Sequence, residues 1–151
     1  MTYTVGKLVP TSLKGIVMDA KVNFQNVVDQ AVEAGRIGAN EQLAKLTKAG
    51  PVWVVKNGST PVGTMLDVCG FAHIRFYDGR NKNVQGLKKW FEANENYGRM
   101  VKAYYGKGFE LYLHGMSMRQ EMSVNEEANS AAANKFAELL KTPVGIESRM
   151  D

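Results

Sequence analysis

The chain has little cysteine, little histidine and no long apolar run, and each shortage removes a class of protein. A single cysteine, Cys69, cannot close an internal disulfide, so no disulfide framework holds the fold and the chain suits a reducing compartment. Its thiol is expected to be a small core or sheet residue. There are only two histidines, His73 and His114. That is too few for most zinc sites, so no metal and no cofactor is expected. No stretch approaches the roughly 20 apolar residues that span a bilayer, so no membrane partner is expected. The opening Met1-Thr2-Tyr3-Thr4-Val5-Gly6-Lys7 lacks the apolar centre of a signal peptide, and the expected location is cytoplasmic. A phosphate-binding glycine loop between strand and helix is also missing, since Gly35-Arg36-Ile37-Gly38 reads as a helix end. Charge imbalance is small. Nineteen Lys and Arg against fifteen Asp and Glu leave +4, which favours encounter with polyanions without demanding it.

What is present is an ordinary core. With 44% hydrophobic residues over 151 positions, a chain of this length buries about 68–70% of its unfolded surface. No internal repeat, low-complexity tract or linker divides it, so residues 1–151 are expected to form one domain. Tyr3–Val9 reads as a strand, and Pro10-Thr11-Ser12 as the helix start that follows. Ile16, Val17, Ala20, Phe24, Val27, Val28 and Ala31 recur at helical spacing, and Gly35 is expected to end that helix. Asn40 then caps a short second helix carrying Leu43 and Leu46, stopped by Gly50-Pro51. Val52–Val55 is a strand running into Asn57-Gly58, a tight hairpin turn. Pro61 has no amide to donate, so the returning strand should begin irregularly.

Leu66–Tyr77 is expected to be a long strand, closed by Asp78-Gly79-Arg80-Asn81. A helix capped by Asn83 should turn Leu87, Trp90, Phe91, Tyr97, Val101 and Tyr104 inward and end at Gly106 and Gly108. Phe109, Leu111 and Leu113 alternate with Glu110, Tyr112 and His114, the pattern of a strand covered on one side. Ser123-Val124-Asn125-Glu126 fits a capping box before a helix near Asn125–Lys141, with Ala128, Ala132, Phe136, Leu139 and Leu140 on it. An irregular tail, 143–151, follows. The fold class is α+β. Its core order of strand, helix, strand, strand, helix, strand predicts a ferredoxin-like (split βαβ) sheet with helices on one face, an extra short helix and an added C-terminal helix.

One face of that sheet should be open. Along the run from Leu66, the residues Leu66, Val68, Ala72, Ile74 and Phe76 point one way, and Asp67, Cys69, Phe71, His73, Arg75 and Tyr77 the other. The second set is expensive to cover with apolar helices unless every polar group finds a partner. Gly70-Phe71-Ala72-His73-Ile74-Arg75-Phe76, preceded by Cys69 at the basic position, resembles the octapeptide of the RNA-recognition-motif family. Val5-Gly6-Lys7-Leu8 is similar to the end of that family's shorter motif, with Thr4 where the stacking aromatic would stand. The resemblance implies non-enzymatic binding of single-stranded nucleic acid: bases stack on Phe71, His73 and Tyr112 while Arg75 and Lys7 meet phosphates.

Two other classes compete. His73 and His114 on separate strands, one strand between them and about 10 Å apart, would flank a phosphodiester as acid and base, as in two-histidine phosphodiesterases acting on nucleotides. Those enzymes place Thr or Ser two residues after each histidine, where this chain has Arg75 and Met116. The third class is a small homo-oligomeric assembly or accessory protein, of the kind viruses and phages encode, in which the open face or an edge strand meets another subunit. Met100, Met116, Met118 and Met122 would suit such an interface, or simply fill a core.

Overall fold

The structure, a computed structural model, describes residues 21–56 and 60–150, with 52–56 and 60–65 described by their backbone alone. The expected strand Tyr3–Val9, the helix start at Pro10 and Lys7 therefore lie outside the described residues. The first described element is helix α1, Phe24–Ala49, capped by the Asn23 side chain, which accepts from the Asn26 amide. The helix does not stop at Gly35, and the short second helix expected from Asn40 is its C-terminal half. Gly35 and Gly38 serve close packing instead. A β-carbon on Gly35 would collide with Met116, and one on Gly38 would lie 2.9 Å from the Glu127 carbonyl oxygen. These glycines let α1 approach helix α3, Met122–Leu140. The true end is Gly50, at φ 91°, whose amide donates to the Leu46 carbonyl.

Strands β1, Val52–Lys56, and β2, Thr60–Met65, pair antiparallel as the Asn57-Gly58 turn predicts. The register slips between Val54 and Val55, where Pro61 enters, in line with the irregular return expected from its missing amide. This hairpin is a separate two-stranded sheet, not the second strand of the main one. The main sheet contains β3, Gly70–Phe76; β4, Gly98–Lys102; β5, Phe109–Leu113; and β6, Val144–Met150, in the spatial order β4-β5-β3-β6 with every pair antiparallel.

Two of these strands replace other expectations. Helix α2, Lys82–Ala93, is shorter than expected and is capped by Asn81, which accepts from the Asn83 and Val84 amides. Tyr97 lies in a single 3-10 turn, and Val101 in β4. Gly98, at φ 154° and close under the Tyr112 carbonyl, lets the chain turn into the sheet, where pairing with β5 outweighs the helical spacing of Tyr97 and Val101. The irregular tail is likewise a strand: β6 pairs with β3 along its whole length, from Phe76↔Val144 to Gly70↔Met150. Helix α3 begins before the expected capping box. Its Ser123 amide donates to Asp67 Oδ2 at 2.8 Å, so the cap comes from a distant loop. Hydrogen bonding to the Ser123 side chain, against some desolvation and helped by the Ser123 and Val68 amides, holds the Asp67 carboxyl below its usual range.

The helices cover one face. Ile74, Phe76 and Leu111 are fully buried there with Val84, Leu87, Phe91, Phe136 and Leu140. The Phe76 and Phe136 rings meet edge-on at 5.4 Å between centroids, an arrangement favoured by the ring quadrupoles. Each such side chain contributes about 1.5–3 kcal/mol through burial.

Candidate nucleic-acid interface

The alternation of β3 and β5 sends the remaining side chains to the opposite face, and register decides their neighbours. One row runs across all four strands. Arg99 on β4 lies opposite Tyr112 on β5, the Tyr112 ring stands 5.0 Å from that of His73 on β3, and His73 faces Glu147 on β6. The next row holds Val101, Glu110, Arg75 and Gly145. Phe71 and Arg149 form a third, shorter row beside the first.

Phe71 is 53% exposed and Tyr112 37% exposed. Each ring has a guanidinium at hand: Arg149 lies 5.9 Å from the centre of Phe71 and Arg99 lies 5.1 Å from that of Tyr112. Such contacts contribute about 0.5–1 kcal/mol at exposed sites and hold the cation beside the ring face. Desolvation, then the hydrogen bond to Glu110, pushes the Tyr112 phenol up, so it remains a neutral donor at physiological pH. Phe71, Ala72, His73, Tyr112, Ser148 and Arg149 enclose a depression of about 340 Å³.

Arg75 is placed differently from the expectation of a phosphate contact. It is 7% exposed, and its guanidinium donates to Glu147 Oε2 at 2.7 Å and to the Tyr105 and Lys107 carbonyls at 2.8 and 2.5 Å. The β4–β5 hairpin thus folds over Arg75, and Gly106 and Gly108, both at positive φ, allow it to do so. Arg75 anchors this hairpin, while among the described residues the accessible cations of the face are Arg99 and Arg149. Sequence reading missed both because it placed Arg99 in a helix and Arg149 in an irregular tail. The alternation of Val144, Ile146 and Ser148 with Gly145, Glu147 and Arg149 was the signal available.

The hairpin tip adds exposed rings. Tyr104 and Tyr105 are largely solvent-facing and meet at 4.6 Å between centroids. His114 is separate from His73. Strands β3 and β5 are immediate neighbours, with no strand between them as the enzyme reading expected. The His114 side chain lines another depression with Phe91, Glu92, Glu95, Met100 and Arg99, and its Nδ1 lies 3.3 Å from the Asn96 carbonyl oxygen. Neither of these two depressions is lined by both imidazoles. Compared with protein-family models, curated proteins and solved structures, the chain matches none.

Proposed function

We propose that residues 70–150 form a ferredoxin-like unit whose sheet face opposite α2 and α3 binds single-stranded nucleic acid. In support of the topology, the order β3-α2-β4-β5-α3-β6 contains two strand–helix–strand crossovers, each with one antiparallel strand between its parallel partners. The unit starts later than the sequence suggested. Gly70–Phe76 becomes its first strand rather than its third, so the octapeptide resemblance does not carry the reading.

The observation that carries it is the pairing of two exposed rings with two accessible guanidinium groups, Phe71 with Arg149 and Tyr112 with Arg99, on the two central strands and their neighbours. Unstacked bases need ring faces and their phosphates need cations within a nucleotide's reach. The exposed Tyr104 and Tyr105 extend the aromatic surface at the hairpin tip. Fluorescence-anisotropy titration with short single-stranded RNA and DNA tests the proposal. Binding at low salt that Phe71→Ala weakens, with the variant still folded, supports it. Absence of binding to either polymer, or undiminished binding by a folded Phe71→Ala, ends it.

A further inference from the structure

We infer that His73, Glu110 and Glu147 form a binding site for one divalent transition-metal ion of the zinc class. The three residues stand on neighbouring strands, and one ligand atom of each lies within 4.8 Å of the other two. His73 Nε2 is 2.9 Å from Glu147 Oε1 and 3.9 Å from Glu110 Oε2. Two ligand atoms bound tetrahedrally to zinc at ordinary lengths stand about 3.4 Å apart, a spacing that these two distances bracket.

The carboxylates are held for this. Tyr112 donates to Glu110 Oε1 at 3.1 Å and Arg75 donates to Glu147 Oε2 at 2.7 Å, which leaves the other oxygen of each directed at the imidazole. Glu110 Oε2 also accepts from the Tyr104 amide at 3.2 Å and has a second lone pair for a metal. Outer hydrogen bonds of this kind fix the orientation of metal ligands. Charge agrees with the geometry: among the described residues the ion-pair contacts of this cluster set two carboxylates against one guanidinium, that of Arg75. An imidazole with two carboxylates is a donor set suited to zinc and its first-row neighbours. Three protein ligands leave a coordination position free, as in open zinc sites. His73 lines the depression shared with Phe71 and Tyr112, which gives an ion access from solvent.

The competing arrangement is a protonated His73 held between the two carboxylates with no affinity for metal. Tag-free, chelator-stripped protein titrated with Zn²⁺ by calorimetry separates the two, with Co²⁺ absorption as the spectroscopic readout. The expected result is saturable uptake of a single ion, weakened at least about tenfold by His73→Ala and by Glu147→Gln and unchanged by His114→Ala. The visible Co²⁺ band should disappear in His73→Ala. Should Glu147→Gln fail to fold because Arg75 loses its partner, His73→Ala, which leaves that ion pair in place, decides the matter. No saturable binding below about 1 mM, or binding that survives His73→Ala, overturns the inference. The result does not depend on whether the face binds nucleic acid.

Discussion

The two faces of the main sheet are built from the same strands and do opposite work. On β3, Ile74 and Phe76 are fully buried against the helices, while Phe71, in the same seven-residue strand, is 53% exposed. On β5, Leu111 is fully buried and the adjacent Tyr112 is not. Because strand side chains alternate with a period of two, one strand supplies both a core and a surface without conflict. The outer face is itself divided. Around Arg75 the two terminal guanidinium nitrogens are paired and covered by the β4–β5 hairpin, with Nε left without a partner among the described residues, whereas around Phe71 and Tyr112 aromatic and guanidinium groups remain accessible. Fold stability and ligand affinity should therefore respond to different substitutions.

The largest effect is expected on the inner face. Phe76→Ala should cost about 3–5 kcal/mol of folding stability, measured by urea denaturation, because it empties the contact with Phe136. A loss below about 1 kcal/mol would mean that the helices do not cover this face as described.

Phe71→Ala reverses the pattern. It should change stability by less than about 1 kcal/mol and reduce affinity for single-stranded nucleic acid by about 1–3 kcal/mol, at low and high salt alike. A variant that loses both stability and binding would break the separation of the two faces.

The attachment of the helical layer can be weakened from outside either face. Asp67→Ala removes the acceptor of the Ser123 amide at the start of α3 and should cost about 0.5–2 kcal/mol. The Asp67 carboxyl is held below its usual range. Its contribution should thus be present above the ordinary carboxylate pKa and be lost as pH falls through the lowered value. Stability curves of the parent and Asp67→Ala should converge in acid; parallel curves there would dismiss Asp67 as the cap.

The smallest effect sharpens the division within the outer face. Arg149→Ala should lower affinity modestly and reduce the slope of log K against log salt by about one unit, as expected for a lost phosphate contact. Fluorescence anisotropy across a salt series measures that slope. An unchanged slope would mean that Arg149 only braces the Phe71 ring.

Much of the secondary structure was legible where one periodic signal stood alone. The β3 and β5 alternation, the β1–β2 hairpin and the small-residue stripe of α3 all follow from local pattern. Legibility failed where tertiary contact reassigned a residue's purpose. Gly35 has the form of a helix terminator but is buried by Met116, and Val101 continues a helical stripe but pairs in a sheet. The short, mixed segment Val144–Met150 becomes a strand because β3 offers it seven consecutive partners. Of the candidate site, Phe71, His73 and Tyr112 were visible from alternation. Arg99, Arg149 and Glu147 were not, because Arg99 sits within a helical spacing of apolar residues and Glu147 and Arg149 lie in a short, mixed segment after Pro143.

The sequence by itself determined which face of β3 is apolar, since alternation is a property of each strand alone. Only the tertiary structure decided that Arg75 is spent on Glu147 and the hairpin carbonyls, that Arg99 and Arg149 stand beside the exposed rings, and that His73 meets Glu110 and Glu147. Those groups lie far apart in the chain, and their meeting depends on strand order and register. Shifting a pairing by one residue would send every side chain of that strand to the other face.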